Sequence, residues 1–210
     1  MNMRHLNIMI KPASGNCNMR CRYCFYHDLT EQRGKASGSM MNADTLEAVI
    51  RKALDSVTES CAFVFQGGEP TLAGMAFFQM VVKLQNKYNV NHVNVSNAIQ
   101  TNGLLLDAEW ADFFYKNHFL VGLSVDGSQA IHDNLRPDAQ GEGTYRRVYQ
   151  SAQLLGKYHV DFNILTVVTR QASRHAYKMY QQYKKMDGGI CSLFLVWIHM
   201  DRNGAIHSIH

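Results

Sequence analysis

The run Lys11-Pro-Ala-Ser-Gly-Asn-Cys17-Asn-Met-Arg-Cys21-Arg-Tyr-Cys24-Phe-Tyr26 places three cysteines in the pattern Cys-x3-Cys-x2-Cys, directly after a short apolar segment. Three thiolates at this spacing supply three ligands for a four-iron cubane and leave its fourth iron without a protein ligand. An open iron takes a small molecule through nitrogen and oxygen donors, so the chemistry is expected to start at this loop. A structural zinc ion is the alternative reading, because Cys17, Cys21, Cys24 and His27 have spacings that a Cys3His tetrahedron tolerates.

The composition around the loop is that of an ordinary globular protein. The 210 residues, 46% hydrophobic and 18% charged, suit one sizeable packed domain. Five cysteines, an odd number with three inside eight residues, argue against a disulfide framework and for a reducing compartment. No run of 18 apolar residues and no leader pattern occurs, so the expectation is a cytoplasmic protein with no membrane partner. The net charge of +4 is scattered, with pairs only at Arg146-Arg147 and Lys184-Lys185, and no nucleic-acid partner is expected.

Outward from the loop, strand and helix patterns alternate. Strands are predicted near 6–12, 61–66, 92–99, 119–125, 160–168 and 191–198, with a polar surface loop at 30–39. Helices are predicted from the cap Asn42, near 73–88, from the cap Asp107, and near 145–158 and 174–186. Such alternation demands right-handed crossovers and a mostly parallel sheet with helices outside. The fold class is therefore α/β, a partial (β/α)6 barrel that lacks its last helix. Each polar motif follows a strand: the cysteine loop, Gly67-Gly68-Glu69-Pro70, Gln100-Thr101-Asn102-Gly103 and Ser124-Val125-Asp126-Gly127. Ligand sites in such sheets lie at the carboxyl ends of the strands, so the motifs should share one mouth.

The cysteine loop followed by Gly-Gly-Glu-Pro resembles the radical S-adenosylmethionine superfamily. Adding Gln-Thr-Asn-Gly and Ser-x-Asp-Gly-x4-His-Asp-x2-Arg, the chain from about residue 8 to 187 is similar to the anaerobic sulfatase-maturating enzymes. The resemblance implies an oxidoreductase with two cofactors, a [4Fe-4S] cluster on Cys17, Cys21 and Cys24 and S-adenosylmethionine (AdoMet) on its open iron. It implies that Gly67 and Gly68 admit the methionine part of AdoMet, that Glu69 accepts from its ammonium, and that Pro70 stiffens the exit of the strand. Tyr23 would meet the adenine, Ser124 the ribose and Arg136 the methionine carboxylate, with Gln100 and Asn102 near the substrate. The implied reaction is oxidation of a sulfatase cysteine or serine to Cα-formylglycine by a 5′-deoxyadenosyl radical. The implied partners are an unfolded sulfatase segment and a low-potential electron donor such as ferredoxin or flavodoxin.

The family continues into a C-terminal domain with auxiliary clusters and a proton-accepting acid, whereas no cysteine follows Cys191 here. The expected organisation is a core over 1–190, then a last strand and non-family tail over 191–210, with a lost reading frame between about Gly188 and Leu195. No catalytic proton acceptor is assignable. Another peptide-modifying radical enzyme, or an inactive iron–sulfur fragment, stands as the alternative. Cys61 and Cys191 read as buried small hydrophobes and His132 as a structural hydrogen-bonder. Asp126-Gly127 reads as a turn, Tyr177, Tyr180 and Tyr183 as one packed or half-buried face, and His199, His207 and His210 as unordered tail residues.

Overall fold

Five strands lie side by side in chain order in a computed structural model, which describes residues 3–24, 26, 40–186, 199–200 and 206–207. β1 (Met3–Ile10), β2 (Val57–Phe65), β3 (Asn94–Thr101), β4 (Phe119–Ser124) and β5 (Phe162–Leu165) form one sheet in the order β1-β2-β3-β4-β5, all parallel. Helices α1 (Ala43–Asp55), α2 (Met75–Tyr88), α3 (Ala108–Lys116), α4 (Gln129–Leu135) and α5 (Tyr145–Lys157) make the crossovers, and α6 (Arg170–Ser173) and α7 (Ala176–Tyr183) follow β5.

Helix starts follow local chemistry. The Asn42 side chain accepts from the Thr45 N–H at 2.8 Å, and Asp107 accepts from the Trp110 N–H at 3.0 Å. Each cap satisfies one amide that the helix leaves unpaired. In α1 the buried residues Leu46, Ile50, Ala53 and Leu54 recur at helical spacing and face the sheet. Alternation in the strands does the same from the other side: Cys61, Phe63 and Phe65, then Ile99 and Thr101, then Phe119, Val121 and Leu123 are buried. Phe78 sits at the centre, its ring 5.2 Å from Phe65, 5.4 Å from Trp110 and 6.3 Å from Phe119.

The opposite face of the sheet is open. Its side chains cross in register: Met9, Val64, Ala98 and Leu120 form one apolar row, and Gln100, Gly122 and Asn163 a polar one with a gap at the glycine. Met9 and Leu120 remain 56% and 42% exposed. This is the concave side of a partial barrel whose mouth carries the motifs.

The strand boundaries differ modestly from expectation. β2 starts at Val57 rather than 61, because parallel pairing with β1 extends back to Met3. The seven-residue α4 and the short α6 were not anticipated, and the helix expected at 174–186 starts after its cap position His175 and closes in a 3-10 turn at Lys184–Met186. Tyr177, Tyr180 and Tyr183 do not share a packed face: the first two are 76% and 51% exposed, while Tyr183 is buried. The Tyr183 hydroxyl accepts from the Gly127 N–H at 2.6 Å and donates to the Val125 carbonyl at 3.1 Å. The expected sixth strand, the loop at 30–39, His27, Cys191 and His210 lie outside the described residues. His199–Met200 pairs antiparallel with Ile206–His207. Among the described residues no helix is long and apolar enough to cross a membrane.

Candidate functional site

The cysteine loop has little regular structure of its own, so its shape is set by what it touches. It leaves β1 through two tight turns, Ser14 N–H to the Lys11 carbonyl at 3.1 Å and Asn16 N–H to Ala13 at 2.9 Å. The Asn16 carbonyl then accepts from the Glu69 N–H at 2.7 Å. On its far side Arg20 and Arg22 donate backbone N–H groups to the carbonyls of Pro137 and Leu135 at 2.8 and 2.9 Å. The loop is thereby held between the turn after β2 and the segment after α4.

Cys17, Cys21 and Cys24 are all free and partly exposed. Burial raises the Cys17 thiol above its usual range and pushes Cys21 up to about 12, so binding a metal there would release protons. Among the described residues no three His, Cys, Asp or Glu side chains converge tightly enough for a single ion, and His27 lies outside them. Three unpaired thiols on one loop fit a cluster that spreads its ligands over several irons.

The turn after β2 meets this loop at close range. Gly68 has φ +54°, and a Cβ there would stand 2.2 Å from the Asn16 carbonyl oxygen. Only glycine permits both the conformation and the approach. Glu69, 1% exposed, follows at once. Its carboxylate accepts from the Thr71 N–H at 3.0 Å, the Thr71 hydroxyl at 2.6 Å and the Thr101 hydroxyl at 2.7 Å, and from the Asn102 N–H at 2.7 Å. Burial raises its pKa, and these donors pull it back. Glu69 thus joins the end of β2 to the end of β3.

Asn102 carries that link on to the cysteines. Its Oδ1 accepts from the Leu104 N–H at 3.0 Å, and its Nδ2 donates to Asn18 Oδ1 at 2.7 Å and to Cys17 Sγ at 3.7 Å. Gln100, two residues earlier on β3, is exposed on the open face.

The third link comes from β4. Ser124 ends the strand 5% exposed, with no hydrogen-bond partner for its hydroxyl among the described residues. Asp126 is completely buried and accepts from the Tyr23 hydroxyl, from Arg136 Nε at 2.8 Å and from the Val167 N–H at 3.0 Å. The Arg136 guanidinium also lies 5.3 Å from the Tyr23 ring centroid. Burial opposes its charge most strongly, but Asp126, Tyr23 and Cys21 together outweigh that, so its pKa rises. The Tyr23 phenol is driven well above its usual value, first by burial.

Behind this pair stands a neutral strut. His132 Nδ1 accepts from the Asp126 N–H at 3.2 Å, which leaves Nε2–H to donate to Thr144 Oγ1 at 3.0 Å; Thr144 donates to the Arg136 carbonyl at 2.7 Å. Burial lowers the His132 pKa to about 4, consistent with a neutral ring. His132 is structural, as its sequence position suggested.

The structure therefore brings Cys17, Cys21, Cys24, Tyr23, Gly67, Gly68, Glu69, Asn102, Ser124 and Arg136 to the carboxyl ends of the strands. Sequence reasoning missed Asp126 as the partner of both Tyr23 and Arg136. No local signal separates it from an ordinary Asp-Gly turn after a strand.

Comparison with known proteins bears on the family and the fold. The Radical SAM superfamily model matches residues 12–180. Over 185 residues the chain is 44% identical to the cysteine-type anaerobic sulfatase-maturating enzyme of Clostridium novyi (strain NT), covering 88% of this chain and 50% of that protein. Over 179 residues it is 36% identical to the serine-type anaerobic sulfatase-maturating enzyme of Klebsiella aerogenes, covering 84% and 43%. The solved structure of native anSMEcpe with bound AdoMet and Kp18Cys peptide superposes with a TM-score of 0.85 at 42% identity, over 91% of this chain and 51% of that one. The chain spans about half the length of the curated relatives it matches.

Proposed function

We propose that this chain, which belongs to the radical SAM superfamily, is the barrel portion of an enzyme that oxidises a cysteine in an extended sulfatase segment to Cα-formylglycine. The carrying observation is that the loop bearing Cys17, Cys21 and Cys24 is held by polar groups from three successive strand ends, Glu69, Asn102 and Asp126. The greater identity to the cysteine-type relative favours cysteine as the target residue.

In this reading the three thiols hold a [4Fe-4S] cluster. When bound, that cluster together with AdoMet supplies one-electron cleavage to a 5′-deoxyadenosyl radical. The chain's own groups do the rest. Arg136 uses Nε on Asp126, leaving its terminal nitrogens for the AdoMet carboxylate. Glu69 Oε2 accepts one protein donor, so it retains capacity for the ammonium. The Ser124 hydroxyl is available for the ribose, and Tyr23, clamped by Asp126, borders the adenine. Gly67 and Gly68 shape the turn beside them. Gln100 faces the open concave side, where an extended peptide would lie against Val64, Ala98, Gly122 and Leu120 of β2 to β4. A low-potential donor such as ferredoxin or flavodoxin would supply the electron, and free thiols on an oxygen-sensitive loop suit the cytoplasm.

The test is anaerobic reconstitution with iron and sulfide, then incubation with AdoMet, dithionite and a cysteine-containing sulfatase peptide. The expected result is 5′-deoxyadenosine that disappears in the Cys17→Ala, Cys21→Ala, Cys24→Ala triple variant, with a peptide aldehyde captured by hydrazide. A loaded four-iron cluster that yields no 5′-deoxyadenosine overturns the reading.

A further inference from the structure

We infer that Asn102 is a redox-tuning residue: its side-chain N–H donates to the sulfur of Cys17 and raises the reduction potential of the cluster bound there. The inference rests on the proposal above that Cys17 is a cluster ligand. Its support is the way the Asn102 amide is fixed. The orientation of an asparagine amide is decided by its partners, and here Oδ1 accepts from the Leu104 N–H, so the NH2 group must point the other way. One of its hydrogens goes to Asn18 Oδ1 at 2.7 Å and the other faces Cys17 Sγ at 3.7 Å. The backbone of the same residue is tied to Glu69 Oε2 at 2.7 Å, and its side chain is buried, 6% exposed. Asn102 therefore cannot swing away without breaking bonds on three sides.

The three sulfurs differ in this respect. Cys17 Sγ also accepts from the Met19 N–H at 3.4 Å, whereas Cys21 and Cys24 accept no N–H donor among the described residues. Reduction adds one negative charge to a cluster, and part of that charge sits on the ligand sulfurs. An N–H dipole aimed at one of them stabilises the reduced form more than the oxidised form, and the potential rises. Both amide hydrogens are engaged within the protein, so the donor group expected near the substrate has a different use, and Gln100 is left as the open-face candidate.

The experiment is a redox titration of the reconstituted full chain, followed by electron paramagnetic resonance. The wild type is compared with Asn102→Ala, which removes the donor, and Asn102→Asp, which retains an acceptor for the Leu104 N–H while replacing the donor with a negative charge. Both potentials should fall, Asn102→Asp further, by at least a tenfold change in the one-electron equilibrium, about 59 mV. Thr101→Val, which removes a neighbouring bond to Glu69 without touching sulfur, should leave the potential in place while lowering stability. Unshifted potentials in both Asn102 variants overturn the inference and leave the proposed function standing. So does failure of both to load when the wild type and Thr101→Val load, since Asn102 would then act in building the loop. A wild-type chain that binds no four-iron cluster overturns both.

Discussion

Replacing Asp126 with asparagine should unfold the site from within. The side chains of Asp126 and Arg136 are 0% and 9% exposed and meet at 2.8 Å, so this pair is screened very little by water. The amide has nearly the same shape and retains one acceptor, but it removes the countercharge and leaves a buried guanidinium alone. Removing one partner of a buried pair costs about 3–5 kcal/mol. For a chain of this size each kcal/mol moves the melting temperature by about 2–4 °C, so a drop of roughly 6–20 °C is expected. Differential scanning calorimetry of the apoprotein measures it. Arg136→Met should also destabilise, and the double variant should lose less than the sum of the two, because the second substitution removes the charge that the first one orphaned. A melting temperature within about 2 °C of wild type for Asp126→Asn, or strict additivity, would refute the clamp.

Three further outcomes follow from the same geometry. His132, held near 4 against an ordinary 6.5, stays neutral in the fold while the unfolded chain takes up its proton first. Its contribution to stability is thus complete above pH 6.5 and is lost as pH falls towards 4, by roughly 3 kcal/mol. Urea unfolding from pH 6.5 to 4 should show a flatter slope for His132→Gln, and an unchanged slope would count against the buried neutral ring. Gly68→Ala should lower iron loading per chain sharply, since its Cβ meets the Asn16 carbonyl at 2.2 Å, whereas in Gly67→Ala the Cβ meets the flexible Lys11 side chain at 2.7 Å and should be milder. Equal loading in the two would remove the close-approach argument. Phe78→Ala, at the centre of the aromatic core, should cost about 3–5 kcal/mol in the urea midpoint analysis, and a loss under about 1 kcal/mol would show that the core collapses around the gap.

The fold was readable because its signals are local. Caps at Asn42 and Asp107, helical spacing in α1 and the polar motif after each of β1 to β4 are all contained in short windows. The site was only half readable. Cysteine spacing points to the ligand set proposed above, but Asp126 sits 103 residues from Tyr23, and an Asp-Gly pair after a strand is already accounted for by turn chemistry. Nothing in the sequence alone tells a turn aspartate from a buried one. Glu69 is similar: its four donors come from Thr71, Thr101 and Asn102, and only the parallel pairing of β2 with β3 brings the last two within reach.

That dependence makes the cysteine loop a readout of sheet register. Residues 11–24 form no strand of the sheet; beyond their own tight turns, backbone bonds from Glu69 and to Leu135 and Pro137, with an isolated bridge between Met19 and Asp138, hold them in place. If β3 slipped by one residue against β2, Thr101 and Asn102 would exchange faces and Glu69 would lose both acceptor contacts to β3. The same slip would carry Ile99, 1% exposed, out of the core. Burial of one face of the sheet therefore forbids the slip, and the hydrophobic pattern of β3 indirectly fixes the donor beside Cys17. Cluster assembly on this loop should accordingly require the folded sheet first, with the thiols gathered by strand pairing rather than by the metal.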